Sequence, residues 1–130
     1  MRNYKNLLAW QKGMDLVDEV YQIIGKLPGE ERFALANQMR RAVASIPQNV
    51  SEGSSRSSLK DYRHFLEMAQ GSAFEIQTTM EICLRRSYCT EDEARCVLEL
   101  LEEEVKILTG LMKALDRETK EDRKGCGMEK

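Results

Sequence analysis

Four cations, Arg40, Arg56, Lys60 and Arg63, are the side chains of this 130-residue sequence best suited to grip an outside partner. Arginine donates through a planar fork that matches phosphate, and lysine adds a compact point charge. They lie in a basic middle: from Arg32 to Arg63 six basic residues stand against two acidic ones (Glu52 and Asp61), although the chain's formal net charge is −2. From His64 onward, fifteen acidic residues outnumber ten basic ones. A cationic stretch on an acidic body suits RNA or DNA, held electrostatically, weakly and without sequence preference. The competing role for each arginine is an ordinary surface or interface ion pair. Tyr62 lies on an apolar stripe and Phe65 beside it, so neither offers an obvious stacking platform for bases.

A second set, Gln38, Arg41, Ser45, Asn49 and Glu52, recurs at steps of 3, 4, 4 and 3. On a helix turning about 100° per residue, these fall within an arc of about 80°, adjoining the apolar stripe. Polar groups beside a core need hydrogen-bond partners. Gln70, Ser72 and Glu75 are the expected partners; a solvated flank or a contact with another subunit is the alternative. Arg41 belongs to this stripe and should meet a glutamate. Arg40 points roughly the other way, toward a phosphate.

Catalytic chemistry lacks its parts. His64 is the only histidine and is followed by Glu67, the reverse order of a Glu-x-x-His di-iron motif, and it occurs once. No Walker loop, Gly-x-Gly-x-x-Gly or Gly-x-Ser-x-Gly is present. Glu102-Glu103-Glu104 reads as a solvated charged face. Cys83, Cys89, Cys96 and Cys126 contain no Cys-x-x-Cys pair, so they are expected as reduced, packed thiols, with Cys126 in a polar tail as the exception. No catalytic residue, metal, cofactor or small-molecule substrate is expected. No apolar run reaches membrane-spanning or signal-peptide length, which points to a cytoplasmic protein.

What must position these residues is a set of heptad stripes. Trp10, Met14, Val17, Tyr21 and Ile24 mark a first helix over about 8–26, widened by Leu16, Val20, Ile23 and Leu27 and ended by Pro28-Gly29. Leu35, Met39, Ala42/Val43, Ile46 and Val50 mark a second over about 31–52, with a kink expected at Pro47. Tyr62, Leu66, Ala69, Ala73, Ile76, Met80 and Cys83 mark a third over about 59–86. There Gly71 suggests a close helix approach. Thr90 and Glu93 form a capping box that opens a fourth over about 91–115, striped by Ala94, Leu98, Leu101, Val105, Leu108, Met112 and Leu115. Ile23, Val97, Leu100 and Ile107 are left beyond a minimal seam. The prediction is all-α: one antiparallel, up-down-up-down, left-handed four-helix bundle over 1–116 and a charged, disordered tail over 117–130.

The run Gln38-Met39-Arg40-Arg41-Ala42-Val43-Ala44-Ser45-Ile46-Pro47-Gln48-Asn49-Val50-Ser51-Glu52-Gly53 resembles the signature of a bacterial family of four-helix-bundle proteins. The family takes its name from reading frames in intervening sequences of 23S ribosomal RNA genes. Tyr62 to Ser72 with Glu75, and upstream Trp10-Gln11-Lys12 with Met14 to Val17, are similar to its other blocks, so the likeness covers about residues 5–115. The resemblance implies a homopentamer. It also implies kinship with the accessory protein of diversity-generating retroelements, a basic pentameric barrel that works with a reverse transcriptase and nucleic acid. This chain departs from that pattern in its negative net charge and glutamate-rich fourth helix. The expected function is a non-catalytic, homo-oligomeric scaffold with weak electrostatic RNA or DNA binding; the alternative is an adaptor that binds only protein.

Overall fold

Apolar stripes at helical spacing, broken only at proline, glycine and serine, fold as four long helices. The computed structural model describes residues 3–128, with side chains as far as Asp122. Helix α1 spans Leu8–Ile24, α2 Leu35–Ser54, α3 Leu59–Arg85 and α4 Glu91–Met128. Short 3-10 turns at Tyr4–Asn6 and Gly29–Glu31 precede the first two. Helix α2 thus starts four residues later than expected, because the backbone at Ala34 (φ −119°, ψ −99°) leaves the helical region. There is no strand among the described residues.

The caps are local and readable. Ser58 Oγ accepts the Asp61 N–H at 3.0 Å, opening α3. Thr90 Oγ1 accepts the Glu93 N–H at 3.2 Å, and Glu93 Oε1 accepts the Thr90 N–H at 2.9 Å, completing the capping box of α4. Helix α3 ends through Ser87, whose φ of 60° lets the Tyr88 N–H reach the Cys83 carbonyl at 2.9 Å.

Each helix packs on two neighbours, in the order α1–α2–α3–α4–α1. Their cross-contacts run in opposite chain directions. Gln38 meets Glu75 while Ser45 meets Ser72, and Arg63 meets Asp116 while Gln70 meets Thr109. Lys12 meets Glu103 while Lys26 meets Glu93. Tyr88 Oη donates to Glu31 Oε2 at 3.0 Å, tying two of the connections at one end of the bundle.

The seams sit slightly round from the expected stripes. Helix α1 buries Ala9, Gly13, Leu16, Val20 and Ile23. Trp10 and Val17 are only half-buried, and Met14 and Tyr21 are 40% and 46% exposed. Small Ala9 and Gly13 let α1 lie close to its neighbours, which turns the larger residues outward. Helix α4 buries Ala94, Val97, Leu101, Glu104 and Leu108, so Val97 and Glu104 take the inward places expected for Leu98 and Val105. Ile23 and Val97 are core residues, not surplus.

Three other expectations are corrected. Helix α4 does not stop near Leu115 but continues to Met128. No glycine intervenes before Gly125, and Asp116/Lys120 and Arg117/Glu121 carry opposite charges at the helix-supporting i,i+4 spacing. Gly71 marks no close approach: nothing lies within 4 Å of where its Cβ would stand. The tight position is Gly53, where a Cβ would sit 2.8 Å from Phe65 Cβ and 3.2 Å from the Tyr62 carbonyl oxygen. Cys83 and Cys89 are free and buried as expected, but Cys96 is exposed; the Cys126 side chain lies outside those described. Pro47 lies within α2 without ending it.

Candidate functional site

The polar stripe of α2 faces α3, and most of it is used. Gln38 Nε2 donates to Glu75 Oε1 at 3.2 Å. The Ser45 hydroxyl bonds the Ser72 hydroxyl and also donates to the Ala42 carbonyl at 2.7 Å. Asn49 Nδ2 turns back to the Ser45 carbonyl at 2.8 Å, so it stays within its own helix. Ser72 and Glu75 are therefore the partners expected. Gln70 is not: it donates to Thr109 Oγ1 at 2.8 Å on α4.

Between α2 and α3 this stripe leaves an open groove of about 430 Å³, lined among others by Phe33, Asn37, Gln38, Arg41 and Glu75. Arg41 does not close the expected bond with a glutamate. Among the described residues no carboxylate lies within ion-pair distance of it; the nearby Glu75 accepts from Gln38. Phe33, at the rim, is 85% exposed with the Arg32 guanidinium 5.2 Å from its ring centre.

The four cations do not form one patch. Arg40 faces α1 and lines a shallow depression with Leu27, Pro28 and Arg32, near the α1–α2 connection. Arg56, Lys60 and Arg63 cluster at the opposite end, around the α2–α3 connection. From Arg40 to the end of α2 is roughly 20 Å at 1.5 Å per residue. Fourteen intervening residues on one rigid helix decide this separation.

Within the cluster, carboxylates already claim two of the charges. Arg56 Nη2 bonds Glu52 Oε1 at 2.9 Å, and its guanidinium stands 4.7 Å from the Phe65 ring centre. The fifth stripe residue, Glu52, thus serves the basic corner and not the α3 interface. Arg63 bonds Glu67 and, at 2.7 Å, Asp116; the bond to Asp116, foremost, raises its pKa further. Lys60 is exposed.

On the other side of α2, the outward residues Trp10, Met14 and Val17 join Tyr4, Ala44, Pro47, Gln48 and Ser51 around a groove of about 290 Å³. Tyr4 and Trp10 stack edge to face with centroids 5.4 Å apart. Behind this groove lies the residue that sequence reasoning misplaced. Glu104 is fully buried, and neither carboxylate oxygen has a hydrogen-bond partner among the described residues. Its companions behave as expected for solvated side chains: Glu103 pairs with Lys12 at 3.4 Å and Glu102 with Lys106 at 3.5 Å. Burial, foremost, raises the Glu104 pKa to about 8, with Glu103 adding to the rise and Lys12 opposing it. A signal was available. Position 104 continues the run Ala94, Val97, Leu101 toward Leu108 at steps of 3, 4, 3 and 4.

Among the described residues no group of three or more His, Cys, Asp and Glu is placed to hold a metal ion, and no helix is long and apolar enough to cross a membrane. No curated protein matches the chain. A solved structure from Bacteroides thetaiotaomicron, a protein of unknown function from the S23 ribosomal protein family, superposes with a TM-score of 0.75. It is 22% identical, covers 82% of this chain and is itself covered over 99% of its length, a likeness that speaks for the fold. The family model described as 23S rRNA-intervening sequence protein matches residues 5–110, which span all three blocks of the resemblance, and the chain belongs to that family.

Proposed function

We propose that the protein is a non-catalytic scaffold that assembles with copies of itself, five in number as the family resemblance implies. The observation that carries this reading is the apolar strip on the outside of α1. Met14 and Tyr21, with half-buried Trp10 and Val17, form a second heptad stripe beside the buried one, and α2 extends it with Ala44 and Pro47. A helix with two adjoining apolar seams suits one neighbour inside the bundle and another outside it. Native mass spectrometry at micromolar concentration is expected to show an oligomer. The double variant Met14→Glu/Tyr21→Glu is expected to be monomeric with its helical melt retained, since both positions are exposed. A monomeric wild type overturns the reading.

Nucleic-acid contact, in this proposal, centres on the corner of Arg56, Lys60 and Arg63, with Arg40 set apart from them along α2. Since Glu52, Glu67 and Asp116 already offset much of that charge, binding is weak. The logarithm of affinity falls with the logarithm of salt by roughly 0.7 per contacted phosphate on single strands. Fluorescence anisotropy of labelled RNA at several salt concentrations tests this, with Arg56→Gln/Lys60→Gln as the comparison. The double variant is expected to bind all sequences more weakly and with a flatter slope. No binding at low salt favours the adaptor that contacts only protein.

A further inference from the structure

The bundle core contains one carboxyl group that the assembly reading leaves unused. Glu104 projects from α4 to where α1 and α2 meet, and the opening it occupies exists because residue 13 is glycine. A Cβ on Gly13 would stand 3.2 Å from Glu104 Oε2, 3.3 Å from Ile46 Cγ2 and 3.4 Å from Pro47 Cβ. The side chain is completely shielded from solvent, and both oxygens lack hydrogen-bond partners among the described residues. A carboxylate in such a place has lost its hydration without gaining a counter-charge inside the slot. The charged groups acting on it are Lys12 from α1 and Glu103 on its own helix, which pair with each other. From α2, the apolar side chains of Ile46 and Pro47 wall the same slot beside Gly13.

We propose that Glu104 is a protonation switch: neutral, it fills the slot opposite Gly13 and holds α1, α2 and α4 together; ionised, it loosens the seam beside Pro47. Pro47 is common to both sides of that seam. It walls the Glu104 slot and also lines the outer groove with Trp10, Met14 and Val17. Ionisation therefore reaches the self-association surface, a consequence that rests on the assembly reading above.

The sign follows from the proton count. The buried carboxyl holds its proton up to about 8, whereas its ordinary value is 4.5. Across that interval the folded chain binds a proton that the unfolded chain releases. Stability is thus full below about 4.5, falls as pH rises, and levels off above about 8. The apparent folding constant should drop by roughly tenfold per pH unit inside the window.

The experiment compares denaturant unfolding at half-unit steps from pH 5 to pH 9 for full-length wild type and Glu104→Gln. Both carry His64→Gln, so that neither protein contains an imidazole. The switch predicts a steep loss in the Glu104 protein and a nearly flat profile in the glutamine variant. Equal slopes overturn it. Should Glu104→Gln fail to fold, carbon-13 NMR of the wild-type Glu104 carboxyl decides: a midpoint well above the ordinary carboxylate range supports the switch, and an ordinary midpoint overturns it. Sedimentation at pH 6 and pH 9 then tests the coupling separately. Dissociation of wild type at pH 9 with retention by Glu104→Gln supports it, and an oligomer indifferent to pH overturns it. A wild type monomeric at both values overturns the assembly reading and with it the coupling, while the unfolding profiles still judge the switch.

Discussion

The polar stripe of α2 and the acidic run of α4 are similar as patterns, both hydrophilic residues bordering an apolar seam. The folded chain treats them oppositely. Ser45 stands half-buried at the edge of the core and meets Ser72, and exposed Gln38 on the same stripe meets Glu75, so their polarity is answered. Glu104 stands inside the core, in the slot beside Gly13, Ile46 and Pro47, and its oxygens have no hydrogen-bond partner among the described residues. The lesson concerns partners. A hydrogen-bonded group at a core edge adds specificity at little cost, whereas an unpaired buried carboxyl must take up a proton.

Replacing the unanswered group gives the largest effect. Glu104→Leu should raise stability at pH 7 by roughly 3 kcal/mol, since the carboxyl no longer has to be neutralised far above its ordinary range. The gain should shrink toward pH 4.5; urea melts at both pH values check it, and a gain independent of pH would make packing the cause. Gly13→Ala comes next. Its methyl would crowd Glu104 Oε2 at 3.2 Å, and overpacking of this kind costs about 1–3 kcal/mol. Combined with Glu104→Ala, which empties the slot, the same substitution should turn neutral or stabilising, because alanine favours a helix over glycine by about 1 kcal/mol. A double-mutant cycle showing simple additivity would separate the two residues.

On the answered side the effects are smaller. Ser45→Ala leaves the Ser72 hydroxyl without its partner and should cost about 1 kcal/mol at any pH from 5 to 9. A pH-dependent cost there would erase the contrast with Glu104. Arg41→Gln should change stability by less than about 0.5 kcal/mol, as expected of an exposed side chain with no ion pair among the described residues. A loss of several times that would place Arg41 in a contact supplied by another copy, which sedimentation of the same variant would reveal.

How far the site was legible differs by residue. The pairing of α2 with α3 through Ser72 and Glu75 followed from spacing, because residues three or four apart on a helix share a face and a flanking polar face requires donors and acceptors opposite. The capping box of Thr90 and Glu93 followed from four consecutive residues. The separation of Arg40 from Arg56, Lys60 and Arg63 was less visible: closeness in sequence is not closeness in space when most of a helix lies between. Glu104 was read as solvated because its neighbours Glu102 and Glu103 are charged, although only Glu104 lies in phase with Leu101 and Leu108.

Helical period, breakers and caps are properties of short stretches, so residue order alone determined four helices, most of their ends but not that of α4, and the family signature. Which of two adjoining stripes turns inward is not a local property. On α1 the small residues Ala9 and Gly13 win over Trp10 and Met14 because they let three helices close around Glu104 and Leu16. On α4 the inward place of Glu104 depends on a vacancy left by a glycine some ninety residues earlier. Such a slot exists only after α1, α2 and α4 have packed together. Tertiary structure therefore decided where the buried, unpartnered carboxyl of Glu104 would lie.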